Sequence, residues 1–527
     1  MIIPPGGGCR SLPGGNAKRE KGVAGGGGLC YDEKLKGKRD RALSELLLTE
    51  AAVVFSSLTF LLLFLPIVLL LYFSAGPLRW KNAVLLLASL LFYAWGEPVC
   101  VLAMLFTTAV NYCCAAAIVK TEDTRRRKTA LGLGVGVSLA LLFYFKYFSF
   151  ALQNLAALFS LELAVPQIRL PIGISFYTFQ VLTYTVDVYR GKVSAQKSFP
   201  KLLLYVSCFP QLIAGPIVQY ADVAAQLDER TISLNDFNEG VERFVVGLAK
   251  KVLLANICGA AVEALPGGGA ASLGGAWYHA FLYTLQIYFD FSAYSDMAIG
   301  LGRVLGFRYK ENFNYPYVSL SATEFWRRWH ISLGSFFRDY VYIPLGGNRR
   351  GAARTALNLL IVWALTGLWH GAAWNFVLWG LYFGVLLILE RFVLRRVIEK
   401  TPAAIRWALT FLIAVVGWAI FYETDLHALA ATLRALLGYA RGPAGRAALP
   451  LLDEAARKVI RRYSVFPLLA FVCSLPVVPA AKRALLARPK GGKILSAARA
   501  VSTALLFALS LVFLIGQSYN PFIYFRF

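Results

Sequence analysis

The sequence predicts an all-α protein that crosses a membrane several times. Of its 527 residues, 58% are hydrophobic and 14% are aromatic, and the mean hydropathy is +0.58. A soluble chain of this length carries more charge and fewer long apolar runs. Several runs approach or exceed the roughly 20 apolar residues that a helix needs to cross a bilayer. A transmembrane β-barrel is excluded because its sequence would show short alternating segments instead.

The clearest candidate spans are strongly apolar runs of helical length. They are Val53–Phe73, Val99–Val119, Leu131–Phe150, Leu357–Trp369, Ala372–Leu389, Ala408–Phe421 and Val501–Ile515. Weaker candidates raise the expected count to about ten to twelve spans. We therefore expect one transmembrane domain over residues 51–527, embedded in a lipid bilayer.

The formal net charge of +25 is explained by where the basic residues lie. In a soluble protein such a charge indicates nucleic-acid binding. Here Lys and Arg are concentrated in short clusters between the apolar runs, at 120–128, 395–400, 457–463 and 488–493. Cytoplasmic loops of membrane proteins carry such clusters. We expect no nucleic-acid partner, and we place the turn at 95–98, one span before the first cluster, on the outer side.

Residues 1–50 differ from the rest of the chain. They are rich in glycine and charge and have no apolar period, so we expect a disordered extension. It is either a cytoplasmic tail or the product of a start codon assigned too early, with the protein beginning near Val53 or Val54. The charge rule favours the second interpretation. Arg79 and Lys81 place the end of the first span in the cytoplasm, which leaves the basic extension outside.

Two stretches between the spans are irregular. Prolines and glycines interrupt the apolar segments between residues 171 and 220. Broken segments at membrane depth are tolerated where they line a cavity, which we favour here over ordinary kinked helices. Residues 303–354 are too basic and aromatic to form a simple span.

Within that basic stretch, residues 324–340 have a helical pattern. Apolar residues at spacings of three and four share one face: Trp326, Trp329, Leu333, Phe336, Phe337 and Tyr340. His330 flanks this face, whereas Arg327, Arg328 and Arg338 lie elsewhere. Such a helix lies at the membrane interface or dips into it. Its arginines either hold phosphates through charge-assisted hydrogen bonds or face lipid headgroups.

His370 stands in the segment GLWHGAAW, among apolar, aromatic and small residues. We expect its imidazole to be neutral near pH 7 because burial disfavours the charged form. A neutral imidazole can take a proton from a hydroxyl or a thiol. Gly367, Gly371 and Ala372 would allow another part of the chain to approach closely. A structural histidine that bonds a neighbouring helix is the alternative.

Two acidic residues, Asp290 and Asp296, interrupt another apolar stretch. Carboxylates in such surroundings face a cavity or a partner, and Arg303 is a plausible partner for one of them. We expect structural or tunnel-lining roles. The eight cysteines have no metal-binding spacing, so we expect buried thiols and no metal.

Taken together, several segments resemble the membrane-bound O-acyltransferase family, and most closely its bacterial alginate O-acetyltransferase branch. The teichoic-acid D-alanyl transfer protein belongs to a neighbouring branch. The matching segments, spread over residues 53–527, are LPIGISFYTFQ with DVYRG, FPQLIAGPIV, YFDFSAYSDMAIGLGRVLGF, FNYPY, EFWRRWHISL with FRDYVYIPLGGNR, GLWHGAAWNFVLWG and FIYFRF. The chain departs from the family pattern at Ala293, where glycine is expected, and at LGSFF. Neither departure includes a histidine.

The resemblance implies about eleven transmembrane helices, with re-entrant or interfacial helices, around a central tunnel. It implies that His370 is the principal catalytic histidine and that His330 is the second. It also implies a cytoplasmic thioester donor, either acetyl-coenzyme A or an acyl carrier, with no bound cofactor. The acceptor would be a polysaccharide hydroxyl outside the bacterial cytoplasmic membrane, reached through an acetyl-handling partner protein. We expect Arg327, Arg328 and Arg338 to hold the donor.

The sequence is also compatible with alternatives to acetyl transfer. D-alanyl transfer to teichoic acid is one, and a transporter or flippase that needs no histidine is another. A polyprenyl-linked glycosyltransferase is disfavoured because the first loop has no acidic residue and the next turn has only Glu97. The sequence has no Gly-x-Ser-x-Gly segment, so we expect no serine hydrolase triad.

Overall fold

The computed structural model describes residues 55–213, 215–442, 445–516 and 522–523. This part of the chain is mostly helical, and its strands form one short antiparallel hairpin, Tyr439–Gly442 with Gly445–Ala448. The predicted extension over residues 1–50 lies outside the described residues.

Seven helices in the described part are long and apolar enough to cross a membrane. They are Cys100–Lys120, Thr124–Leu158, Leu234–Glu263, Gly351–His370, Trp374–Phe392, Ala403–Tyr422 and Gly491–Gly516. An eighth candidate is the pair Phe466–Cys473 and Val477–Leu486, which is bent by 58° at its break. The prediction of an all-α, multi-pass membrane protein is confirmed. The count of about eleven spans stays a prediction.

Six of the seven predicted runs coincide with these helices. The remaining one, Val53–Phe73, corresponds within the described residues to a shorter apolar helix at Phe60–Phe73. The helix Leu234–Glu263 is not among the predicted runs. Its first turns carry acidic residues such as Asp236 and Glu239, so the helix does not stand out as one continuous apolar run, although its second half is apolar.

Further helices connect and surround the spans. The other α-helices are Leu65–Phe73, Leu78–Gly96, Ile174–Tyr189, Phe199–Ser207, Phe209–Leu212, Tyr220–Asp228, Leu273–Val304, Ala322–Arg328, Ile331–Phe337, Arg395–Lys400, Leu426–Leu436 and Glu454–Tyr463. Turns of π-helix occupy Phe60–Phe64, Phe143–Tyr147, Lys250–Ala255 and Arg338–Tyr342, and 3₁₀ turns occupy Pro266–Gly269 and Pro316–Val318.

The helix Leu273–Val304, here called the central helix, is buried along most of its 32 residues. The hydroxyl of Ser272 caps its first turn by accepting a hydrogen bond from the Gly275 amide at 3.2 Å. The central helix packs closely against Leu234–Ala249, because glycines let the two backbones meet. A Cβ atom added to Gly240 would lie 2.8 Å from the carbonyl oxygen of Gly300. Such small-residue contacts are typical of helix pairs in membranes.

The prediction of one continuous helix over residues 324–340 is wrong. The chain forms Ala322–Arg328 and Ile331–Phe337, and between them His330 has a left-handed backbone with φ +45°. A neighbouring segment replaces the lost helical hydrogen bonds. The Ile331 amide donates to the Asn312 carbonyl at 3.0 Å, and the Asn314 amide donates to the Arg328 carbonyl at 2.9 Å. Because these backbone groups are satisfied across the break, the helix can end and restart there.

Candidate active site

His370 is the last residue of the helix Gly351–His370, here called the His370 helix, and it is buried. The chain leaves the helix at Gly371, whose backbone is extended. The next span, Trp374–Phe392, packs directly against the His370 helix. A Cβ atom at Gly367 would overlap the backbone of Phe376, and one at Gly371 would overlap its ring. The predicted close approach at these glycines is therefore confirmed, and it fixes the helix end that carries His370.

Aromatic side chains surround the imidazole of His370. Its ring centroid lies 4.9 Å from Trp369, 5.1 Å from Trp379 and 5.2 Å from Phe421, all in edge-to-face arrangements. This setting holds the ring at a defined angle and keeps bulk water away from most of its surface.

His370 lines two cavities. The first, here called the lysine cavity, has polar groups in its wall and is lined by Lys146, Leu170, Pro171, Ile172, Gly173, Ile174, Ser175, Phe176, Ile213, Trp369 and His370. The second, here called the aromatic cavity, is lined by Ile287, Asp290, Phe291, Trp329, His370, Trp418, Phe421 and Ile523. The lysine cavity includes the broken segment after Leu170, in agreement with the prediction that such segments line a cavity.

The imidazole ring of His330 is held in place by a hydrogen bond to Asn312. Its Nδ1 lies 3.1 Å from Oδ1 of Asn312, which also accepts hydrogen bonds from the Ser332 amide at 3.2 Å and the Ser332 hydroxyl at 2.9 Å. Because Oδ1 can only accept, Nδ1 carries the hydrogen and Nε2 carries the lone pair. Nε2 has no hydrogen-bond partner among the described residues. Burial lowers the pKa of His330 to about 3, so its ring is neutral at physiological pH.

Trp369 lies beside both histidines. Its ring centroid is 6.0 Å from His330 and 4.9 Å from His370. It also stacks on Phe179, at 5.5 Å and an interplanar angle of 19°. The structure therefore brings the two predicted histidines into one aromatic cluster, although His330 lines neither cavity that contains His370.

Asp290 lies in the wall of the aromatic cavity and is paired inside the protein. Its carboxylate is 2.6 Å from Nζ of Lys251, and both side chains are at least 96% buried. It also accepts a hydrogen bond from the Ile523 amide at 2.7 Å. Asp290 thus lines a cavity, and its predicted tunnel-lining role stays a prediction.

Asp296 does not line either cavity. It forms ion pairs of 2.6 Å with Arg243 and with Lys250. The suggested pairing of Asp290 or Asp296 with Arg303 is wrong. Arg303 lies seven residues beyond Asp296, about 10.5 Å along the helix axis, and it pairs instead with Asp236 and Glu239.

The three predicted donor-binding arginines differ in their surroundings. Arg327 is exposed. Arg328 pairs with Glu324 at 2.9 Å and donates to the Asn314 carbonyl at 3.1 Å, which ties it to the break at His330. Arg338 forms a two-point contact with Asp339, at 2.7 and 3.0 Å, and its side chain is largely exposed.

Sequence reasoning missed Lys146, Ser175 and Asn312. Lys146 lines the lysine cavity, and its amino group contacts Ser175 and the backbone at His370. A lone lysine inside an apolar run, FYFKYF, was a signal available in the sequence. Asn312 had no comparable signal because its role depends on a contact across 18 residues. Within the described residues, no group of three or more His, Cys, Asp or Glu side chains is arranged to hold a metal ion.

Comparison with known proteins identifies relatives along most of the chain. The model of the membrane-bound O-acyltransferase family matches residues 141–422. The chain is 40% identical to the probable alginate O-acetylase AlgI of Azotobacter vinelandii, over 90% of this chain and 100% of that protein. It is 42% identical to the protein of the same name from Pseudomonas putida, with the same coverage. It is 32% identical to the peptidoglycan O-acetyltransferase of Helicobacter pylori, over 73% of this chain and 80% of that protein.

Proposed function

Because the chain belongs to the membrane-bound O-acyltransferase family, we propose that it acetylates a polysaccharide outside the bacterial cytoplasmic membrane. The acetyl group comes from a cytoplasmic thioester, either acetyl-coenzyme A or an acyl carrier. It is passed to a hydroxyl on the outer side through an acetyl-handling partner protein. The relatives named for alginate O-acetylation support acetyl over D-alanyl, and an alginate-like acceptor.

The observation that carries this proposal is the position of His370 in the walls of both cavities. A buried side chain at the end of a membrane-spanning helix, open to a cavity on two sides, can meet a donor from one side and an acceptor from the other. Asp290, the acidic residue in the wall of the aromatic cavity, is already paired with Lys251. The imidazole is thus the group best placed to accept a proton there.

His370 acts as a general base in this reaction. It takes the proton of the hydroxyl that accepts the acetyl group at this site, that of the acetyl-handling partner protein, as the oxygen attacks the thioester carbonyl carbon. A carbon–oxygen bond forms, the carbon–sulfur bond breaks, and the proton passes from the imidazolium to the departing thiolate. Products are the oxygen ester and the free thiol. The aromatic side chains around His370 keep water from competing as the acceptor.

The path of the chain supports access from the outer side. The helix Ile174–Tyr189 begins at the lysine cavity and ends beside Arg127, which donates to the Tyr189 carbonyl at 3.2 Å. Arg127 belongs to the basic loop at 120–128, which the charge rule places in the cytoplasm. Sixteen helical residues span about 24 Å. The lysine cavity thus lies toward the outer side, and the donor approaches from the opposite face.

His330 and the arginines complete the proposal. His330 presents the lone pair of Nε2 within the same aromatic cluster and supports proton movement near His370. Arg327, Arg328 and Arg338 lie in or next to the segment that carries His330. They hold the phosphates of the donor, or an acidic carrier protein, through charge-assisted hydrogen bonds.

The test is acyl transfer in sealed vesicles with labelled donor on the cytoplasmic side. His370→Ala should insert normally and lose turnover by about 10²- to 10⁴-fold, the contribution of a general base. In the same assay, Arg328→Ala should raise the donor concentration required by roughly ten- to hundredfold, since a charged hydrogen bond contributes about 1.5–3 kcal/mol.

Normal transfer by His370→Ala would exclude the proposed chemistry. It would favour a transporter that needs no histidine. Unchanged donor dependence in Arg328→Ala would assign this arginine to its contacts with Glu324 and Asn314 alone.

A further inference from the structure

Lys146 is a buried basic residue that the mechanism above does not use. It lies in the span Thr124–Leu158, in a turn of π-helix at Phe143–Tyr147. Its side chain is about nine-tenths buried, and no ion pair to it occurs among the described residues. Ionisable side chains inside a membrane span are costly to bury and are usually retained for a function.

The amino group of Lys146 donates hydrogen bonds to three oxygen atoms. Its Nζ donates to the carbonyl oxygen of Trp369, to that of His370 at 3.2 Å, and to the hydroxyl of Ser175 at 3.3 Å. An ammonium group has three hydrogens, one for each of these oxygens. Its hydrogen-bonding capacity is therefore filled by the protein, which leaves no hydrogen for direct contact with a substrate.

Two of these oxygens belong to the last two residues of the His370 helix. The final carbonyl groups of a helix have no amide partner within it. A cation at this end interacts favourably with the exposed carbonyls and with the helix dipole. Lys146 therefore holds the backbone at the residue from which the imidazole projects.

The third oxygen belongs to the opposite wall of the lysine cavity. Ser175 lies in the first turn of the helix Ile174–Tyr189, two residues after Gly173, whose backbone is left-handed with φ +76°. A Cβ atom at Gly173 would lie 2.9 Å from the Leu212 carbonyl oxygen, so this turn is closely packed on its other side. Through Lys146, the end of one helix is tied to the start of another across the cavity.

We propose that Lys146 is a positioning residue for acyl transfer. It fixes the backbone of His370 relative to the wall of the lysine cavity, so that the imidazole meets the acceptor hydroxyl at a constant distance. This inference rests on the proposed function of His370. A misplacement of about 1 Å at a reacting group can cost on the order of 10²-fold in rate.

Tyr147 provides a matched control. Its hydroxyl donates to the carbonyl oxygen of Leu368 at 3.0 Å. It thus bonds the same helix end from the neighbouring position, one carbonyl earlier than Trp369. Tyr147 does not line the lysine cavity. Tyr147→Phe removes one hydrogen bond to the helix while leaving the contacts at Trp369 and His370.

The experiment compares Lys146→Met with Tyr147→Phe in the full-length protein, in vesicles, with varied donor concentration. Methionine fills the same space without N–H groups. Lys146→Met should lower kcat by about 10²-fold with KM for the donor unchanged, because the donor does not contact Lys146. Tyr147→Phe should keep both values close to those of the wild type. Detergent melting curves identify any variant that is not folded.

Wild-type kcat in a folded Lys146→Met variant would overturn the inference. So would an equal loss in Tyr147→Phe, which would indicate a general effect on the helix end. If Lys146→Met does not fold, Lys146→Leu, which also lacks N–H groups, is measured against the same criteria. Failure of the proposed function is distinguishable, because it requires normal turnover in His370→Ala.

Discussion

His370 and His330 are both buried imidazoles in one aromatic cluster, and the chain holds them in opposite ways. At His370 the backbone is held, by the Gly367 contact and by Lys146, while the ring faces two cavities. At His330 the ring itself is held, through Nδ1 on Asn312, at a left-handed break between two short helices.

This difference in how the two residues are held suits the two histidines to different roles in the proposed reaction. A ring that lines cavities can meet a substrate, and its precision has to come from the backbone behind it. A ring bonded at Nδ1 has a fixed tautomer and orientation, and it presents one defined lone pair. Under the proposed function, His370 is therefore the group that reacts, and His330 is the group that supports the reaction.

The largest effect expected from this comparison is in turnover. His330→Gln should lower kcat by about 10²-fold or less, whereas His370→Gln should lose up to about 10⁴-fold. The reason is that, of the two histidines, His370 lines the two cavities and His330 lines neither. Initial rates at saturating donor measure both values. His427→Gln, at an exposed position, is the control. A larger loss at His330 than at His370 would reverse the two assignments.

The second effect is on stability as a function of pH. His330 lies outside the spanning helices, and burial lowers its pKa to about 3, against 6.5 in an unfolded chain. Between these values the unfolded chain takes up a proton that the folded protein does not. Stability should therefore fall as pH falls below 6.5, by up to about 1.4 kcal/mol per pH unit. Above pH 6.5 this histidine contributes no pH dependence.

Melting temperatures in detergent between pH 7.5 and 5, a range chosen around the unfolded pKa, measure this effect. His330→Gln should flatten the decline, while His427→Gln should leave it as in the wild type. An identical decline in His330→Gln would mean that other groups cause the loss of stability.

The smallest effect concerns the backbone at the two positions. His330 has φ +45°, a conformation that costs residues with a Cβ about 1–2 kcal/mol. His330→Gly should therefore be more stable than His330→Ala, by about 1 kcal/mol. At His370, a helical residue, the order should reverse, because glycine in a helix is about 1 kcal/mol less favourable than alanine. Melting temperatures of the four variants give the comparison, and the same order at both positions would contradict it.

The sequence alone was sufficient to predict the class of fold and to select the two histidines as candidate site residues. Apolar runs of helical length identify membrane spans because lipid requires every backbone polar group to be bonded within the segment. The segments around His330 and His370 could be recognised from local residues. Residues 324–340 were predicted incorrectly because their apolar residues keep a helical period across the break at His330. Hydrogen bonds to the segment around Asn312 stabilise this break, and a local pattern does not reveal them.

The partners of the buried charges were decided by the tertiary structure. Asp290 pairs with Lys251, and Lys146 reaches Trp369 and His370 across more than 220 residues. Composition and spacing determine that a stretch is helical and apolar, because these properties arise from neighbours along the chain. They do not determine which helix ends meet, because this depends on how closely the glycine-containing faces pack. The sequence thus determined that His370 is buried in a membrane protein, and only the packing of the helices determined what holds it and what it faces.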